Sequence, residues 1–178
     1  MRHVAFLNAR KLVAGELAEV LPVLKARFDA DRGEVVLVFD LESGRQVDFD
    51  LRGTLDEVLA RAGVGGARGP GRPKLGVVGR EVSLLPRHWD WLEAQQGGAS
   101  GAIRRLVDAA AAKEPAKARA ERRRAAVGRW LGAVAGDRPH FEEATRALYA
   151  GDVQRFGALI ERWPKDIREL AEAELGRA

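Results

Sequence analysis

Residues 3–28, HVAFLNARKLVAGELAEVLPVLKARF, contain two short apolar runs followed by a helical pattern. The runs HVAFL and KLVAG flank Asn8 and Ala9, which suit a tight turn, so they predict a β-hairpin. The apolar residues that recur at helical spacing after it are Leu17, Val20, Leu21, Leu24 and Phe28. Pro22 lies inside this pattern and predicts a kink or a late helix start. The stretch therefore predicts a small α+β unit.

The following residues extend this N-terminal unit to residue 64. EVVLVFDL, residues 34–41, is a nearly continuous apolar run and predicts a central strand. RQVDFDL, residues 45–51, alternates apolar and polar residues, which predicts a half-buried strand. Thr54 and Glu57 predict a capping box at the start of a helix that Gly63 would end.

The composition is typical of a globular protein. Of 178 residues, 46% are hydrophobic and 31% are charged. Because the chain has no cysteine, it can form neither disulfides nor thiolate metal sites. No apolar run is long enough to span a bilayer, and the polar Asn8, Arg10 and Lys11 make the N-terminal segment atypical of a signal peptide. We expect a cytoplasmic protein without membrane association.

Positive charge is concentrated in the middle of the chain. Residues 65–129 carry fourteen Lys or Arg and six acidic residues, whereas the segments before and after each have a net charge of −2. Within this region, residues 65–79 form a Gly- and Pro-rich linker that cannot hold a helix or a central strand. Its GPGRPK is similar to the core of an AT-hook, which implies that Arg72 lies in a narrow, A·T-rich minor groove. An ordinary linker is the alternative.

Residues 80–113 predict a strand over 80–84, a helix from Pro86 to about Gln96, and a second helix over 101–113 capped by Ser100. This order resembles a ribbon-helix-helix module. The resemblance implies a homodimer whose paired strands enter the major groove and whose second helices each hold a DNA phosphate. Val82 and Leu84 would then face the dimer core, together with the apolar face of the second helix: Ile103, Leu106 and Val107.

An outward Glu81 departs from the usual ribbon, because bases are mostly read by Arg, Lys, Asn, Gln or Thr. The densest charge run, Arg122 to Arg124, is either a solvated helix face or a phosphate-contacting one. Together these patterns predict the following nucleic-acid-binding residues: Arg68, Arg72, Lys74, Arg80, Ser83, Ser100, Arg104, Arg105, Arg122, Arg123 and Arg124.

The C-terminal region, residues 114–178, is predicted to be all-helical. A basic helix becomes apolar, Asp137 and Asp152 each cap a short helix, and Trp163-Pro164 starts the last one. The four tryptophans predict core or interface anchors, with base stacking as the alternative.

Taken over most of its length, the chain resembles a family of uncharacterised bacterial proteins, domain of unknown function twenty-two thirty-nine. The stretches that carry the resemblance are GRPKLGVVGREVSLLPRHWDWLEAQQGGASGAIRRLV, VLVFDLESGRQVDFDLRG and FEEATRALYAGD. The resemblance implies no activity, cofactor or set of binding residues.

Motifs for catalysis are not evident in the sequence. The three histidines lie far apart, and the Gly-rich linker matches neither a dinucleotide-binding fingerprint nor a P-loop. Asp40, Asp48 and Asp50 on one predicted hairpin are either a solvated strand face or ligands for a divalent ion. We therefore predict no enzyme, cofactor, metal site or small-molecule ligand.

The leading functional hypothesis is a dimeric DNA-binding protein, either a regulator or an architectural factor. The alternative is a protein-interaction module of the adaptor or antitoxin type, which the outward Glu81 and the acidic end segments favour. A divalent-ion enzyme that uses Asp40, Asp48 and Asp50 is the third hypothesis.

Overall fold

The computed structural model describes residues 2–30, 33–64 and 80–176. It confirms the predicted α+β class, with one three-stranded antiparallel sheet and eight helices in these residues. The strands are β1 (Arg2–Leu7), β2 (Arg10–Glu16) and β3 (Val36–Asp40). The helices are α1 (Leu17–Asp29), α2 (Leu55–Arg61), α3 (Pro86–Glu93), α4 (Gly98–Ala112), α5 (Ala116–Ala135), α6 (Phe141–Ala150), α7 (Val153–Ile160) and α8 (Lys165–Leu175).

The predicted hairpin is confirmed, and it places β1 in the centre of the sheet. β1 and β2 pair antiparallel across a turn at Asn8, whose φ is +54°. β3 pairs with the other edge of β1, so the strand order is β2-β1-β3. The prediction that residues 34–41 form a central strand is therefore wrong in position. A continuous apolar run indicates only that both faces of the strand are buried. An edge strand has the same pattern when helices cover both faces of the sheet, so the run did not distinguish an edge strand from a central one.

The sheet packs helices on both of its faces. Val4 and Phe6 of β1 point into a core shared with α5 to α8, around the fully buried Trp130. Ala5, between them, points into a second core with α1 and with Val58 of α2. This alternation follows from the two-residue period of a strand. Consequently, the N-terminal segment and the C-terminal helices build one common core.

The described residues fall into two compact units. The large unit contains the chain up to residue 64 and from residue 119 onward. The small unit contains residues 80–118, with α3, α4 and the start of α5. None of the helices in the described ranges combines the length and the apolarity that a bilayer crossing requires.

Two expectations for the large unit need correction. Residues 45–51 do not form a strand, since their β-structure is limited to a single bridge between Gln46 and Phe39. The predicted alternation of burial is still present. The half-buried side chains are Val47, Phe49 and Leu51, and the exposed ones are Asp48 and Asp50. In addition, α1 begins at Leu17 and continues through Pro22, so a late start is wrong, and Phe28 is 50% exposed.

The strand predicted over residues 80–84 is also wrong, because residues 80–85 have no regular secondary structure. A strand is stabilised by hydrogen bonds to a neighbouring strand, and the paired strands of a ribbon come from two chains. Helix α3 begins at Pro86 as predicted but ends three residues early, at Glu93.

The helix caps test the local predictions most directly. The capping box of α2 is confirmed, because Thr54 N donates to Glu57 Oε2 at 2.8 Å and Glu57 N donates to Thr54 Oγ1 at 3.3 Å. Asp152 caps α7 as predicted, accepting from Arg155 N at 3.0 Å. Asp137 caps no helix, since residues 136–140 form turns and α6 begins only after His140.

Candidate nucleic-acid interface

The predicted DNA-contacting arm, with Arg68, Arg72 and Lys74, belongs to residues 65–79 and lies outside the described part of the chain. Its role therefore stays a prediction. Arg80 and Ser83 lie on the irregular segment before α3, and both are exposed.

Ser100 is not the cap of α4, contrary to the prediction. Helix α4 begins at Gly98, and its N-cap is Gly97 with a φ of +83°, a value that favours glycine. Ser100 is consequently an exposed residue of the first helical turn. The sequence GGAS predicted the wrong cap because serine is preferred over glycine at the N-cap position. Here the residue before the helix has a left-handed conformation, which favours glycine at position 97.

The structure brings Arg105 to the start of α4. Its Nη1 lies 3.5 Å from the position that a Cβ on Gly101 would occupy and 3.6 Å from the equivalent position on Gly97. The first N–H groups of a helix have no intrahelical acceptor, and a glycine N-cap offers no side-chain acceptor. A guanidinium beside such donors creates a local environment that favours an anion. Arg104 precedes it on the exposed surface of the same helix.

The small unit also exposes five large apolar side chains, and we use the name uncovered apolar face for this set. They are Val82 (57% exposed), Leu85 (50%), Trp91 (52%), Leu106 (52%) and Val107 (59%). In the described part of this unit, the buried hydrophobic residues are Leu92 and Ala102. Leu106 and Val107, which were predicted to lie on the apolar face of the second helix, are therefore more than half exposed to solvent.

The arginine triplet of α5 divides between two surfaces of the large unit. Arg122 and Arg123 line a cleft of about 470 Å³. Arg124 lies beside Gly151, with Nη1 3.5 Å from a Cβ built there, and lines a smaller pocket that Arg123 also borders. Successive helical residues are about 100° apart around the axis, so three in a row cannot share one face.

The cleft contains two further arginines that the sequence did not indicate as functional. Arg2, at the start of β1, and Arg119 of α5 line it together with Leu41, Glu42 and Glu174. Arg2 Nη1 donates to Glu174 Oε1 at 3.1 Å, and Glu174 is 7% exposed. The spacing of residues 119, 122 and 123 along one helix face was the only available signal, since Arg2 and Glu174 are distant in sequence.

The acidic hairpin residues have separate local partners. Asp40 Oδ1 accepts from Glu42 N at 2.7 Å, and Asp50 forms two 2.9 Å contacts with the Arg52 guanidinium. The hydrogen bonds from Arg52 hold the pKa of Asp50 well below its usual range. Within residues 2–30, 33–64 and 80–176, no cluster of three or more His, Asp or Glu is placed to hold a metal ion.

Comparison with known proteins identifies a family for this chain. No curated protein and no solved structure matches it. A model of one family, described as "Uncharacterized protein conserved in bacteria (DUF2239)", matches residues 2–174, in agreement with the resemblance drawn from the sequence. The chain therefore belongs to this family of bacterial proteins.

Proposed function

We propose that this protein binds duplex DNA as a homodimer, with the small unit as its DNA-contacting module. The observation that carries the proposal is the combination, in one short segment, of an uncovered apolar face with exposed cations. The apolar face would form the dimer core, and the cations would contact DNA. The role would be that of a regulator or an architectural factor.

The small core of this unit supports a dimer. Within residues 80–118, only two hydrophobic side chains, those of Leu92 and Ala102, are buried. Burying each large apolar side chain contributes about 1.5–3 kcal/mol, so covering Trp91, Leu106 and Val107 offers a substantial driving force. A second copy presents the same apolar face, as a self-complementary interface requires.

The oligomeric state can be tested with the pair Leu106→Glu and Val107→Glu. We expect wild type to elute as a dimer and the double variant as a monomer, because two carboxylates in each copy would be buried without partners. Size-exclusion chromatography with light scattering measures the mass. Val35→Glu is the matched control, since Val35 is 73% exposed in the large unit. A monomeric wild type would contradict the proposed dimer.

The cations of the small unit support phosphate contacts. Arg105 lies beside the open start of α4, and arginine forks match phosphate oxygens closely. Arg80, Arg104 and the predicted arm add charge, with Ser83 and Ser100 as hydroxyl donors. Binding through several cations releases counterions, so the affinity should fall steeply with salt.

DNA binding is tested by fluorescence anisotropy on labelled A·T-rich and G·C-rich duplexes across a salt series. The variants are Arg72→Ala with Lys74→Ala, and Arg104→Ala with Arg105→Ala. Each pair should reduce the slope of log affinity against log salt by about two units. Loss of an A·T preference in the first variant would identify residues 65–79 as a minor-groove arm.

The matched control is Arg155→Ala with Arg162→Ala, which removes the same charge from exposed positions of the large unit. It should leave the slope nearly unchanged. No binding to either duplex by wild type at low salt would overturn the proposal. A dimer without duplex affinity would instead favour a protein-interaction module, the second candidate, which the exposed Glu81 and the same apolar face support.

A further inference from the structure

We infer that the arginine-lined cleft of the large unit binds a small ligand carrying two linked phosphate groups. The cleft lies between the start of β1, the loop after β3, and helices α5 and α8. The inference does not rest on DNA binding by the small unit, and it adds a ligand that the sequence did not predict.

The charges of the cleft favour an anion. Four guanidiniums, those of Arg2, Arg119, Arg122 and Arg123, face two carboxylates, those of Glu42 and Glu174, which leaves a net charge of +2. Glu174 is buried and ion-paired with Arg2, so this pair joins the start of β1 to α8 beside the cleft. The net charge of the lining is positive, which favours an anionic ligand.

Helical geometry places the three α5 arginines together. Residues at i, i+3 and i+4 lie on one face of a helix, and like charges at this spacing repel each other. A bound anion converts that repulsion into attraction, because each guanidinium can direct its donors at the same group. Arginine suits phosphate in particular, since its planar fork matches two oxygens at once.

The size and lining of the cleft indicate the class of ligand. Its volume of about 470 Å³ is within the range of small-molecule sites. Among the lining residues in the described part of the chain, Leu41 is the one that is apolar, and none is aromatic. Stacking of a base therefore has no platform here, and the phosphate groups themselves would supply the binding energy.

Isothermal titration of the full chain with pyrophosphate, and separately with inorganic phosphate, tests the inference. We expect saturable one-to-one binding of pyrophosphate, tighter than that of phosphate. Arg119→Gln with Arg122→Gln should raise Kd about tenfold or more, since each lost contact is a charge-assisted hydrogen bond. Glu42→Gln should lower Kd, because it removes a carboxylate that repels the ligand.

Arg146→Gln with Arg155→Gln is the matched control, with the same loss of charge at exposed positions outside the cleft. It should leave Kd within about twofold. Equal weakening by both double variants, or no saturable binding by wild type, would overturn the inference. Unfolding midpoints of all variants verify that the fold is retained, and the opposite effect of Glu42→Gln does not depend on damage to the fold.

A duplex titration of the same variants separates this inference from the proposed function. If the protein binds pyrophosphate but no duplex, the result supports the small-ligand site in the cleft and contradicts the proposed DNA binding. Duplex that competes with pyrophosphate, and that loses affinity in the cleft variant beyond the control, would assign the cleft to the DNA backbone and overturn the small-ligand assignment.

Discussion

Replacing Gly44 with alanine is expected to lower the free energy of unfolding by about 3–5 kcal/mol. Gly44 follows β3 with a φ of +69°, in the left-handed region. A Cβ built at this position would overlap the backbone carbonyl oxygen of Ala126 in α5. Because the obstacle is helix backbone, it cannot rotate away as a side chain would. The added methyl must therefore displace the loop from α5 or distort the helix.

Gly33→Ala is the matched control for backbone strain without a clash. Gly33 has a φ of +62°, and, apart from its chain neighbours, no atom of the described residues lies within 4 Å of a Cβ built there. It should cost only the left-handed penalty, about 1–2 kcal/mol. Urea unfolding followed by circular dichroism measures both variants. Equal losses of unfolding free energy in the two variants would contradict the expected clash between residue 44 and α5.

The second large effect is expected for Trp130→Ala, which should lower the free energy of unfolding by about 3–5 kcal/mol. Trp130 is fully buried in the large unit, and its ring stacks on Phe6 with a centroid separation of 5.8 Å. Truncation would leave a cavity where α5 meets the sheet. Since this core joins the two ends of the chain, the whole large unit should be destabilised.

Trp130→Phe distinguishes ring packing from the indole N–H group. Trp130 Nε1 is buried and has no hydrogen-bond partner in the residues that the structure describes. Phenylalanine keeps an aromatic ring on Phe6 and removes this unpaired donor, whose burial is unfavourable. We expect a loss of about 1–2 kcal/mol, smaller than for alanine. A loss as large as that of alanine in the same urea titration would contradict this account.

Local features of the fold were predictable from the sequence because short-range interactions determine them. The hairpin needs only two apolar runs and a turn at Asn8, and the capping box of α2 needs only Thr54 and Glu57. The failures at Ser100 and Asp137 were local as well. Helix α4 begins before Ser100 and helix α6 begins after Asp137, because the turn that precedes each helix determines where it starts. The capping preference of a single residue does not reveal the geometry of that turn.

The candidate sites were predictable to different degrees. The concentration of cations in the middle of the chain is visible in the sequence, and the structure leaves Arg80, Arg104 and Arg105 exposed as that interpretation requires. The cleft was not predictable. Its arginines come from β1 and α5, and Arg2 is held by Glu174, which lies 172 residues away in the chain.

The sequence by itself determined the α+β class, the order of most elements, the basic middle and the bacterial family. These depend on periodicity, composition and local capping, which neighbouring residues carry. Only the tertiary structure decided that β1 is the central strand, that the two ends of the chain share one core around Trp130, and that Leu106 and Val107 are left uncovered. Burial depends on which distant segments meet, and an apolar pattern specifies a face without specifying what covers it.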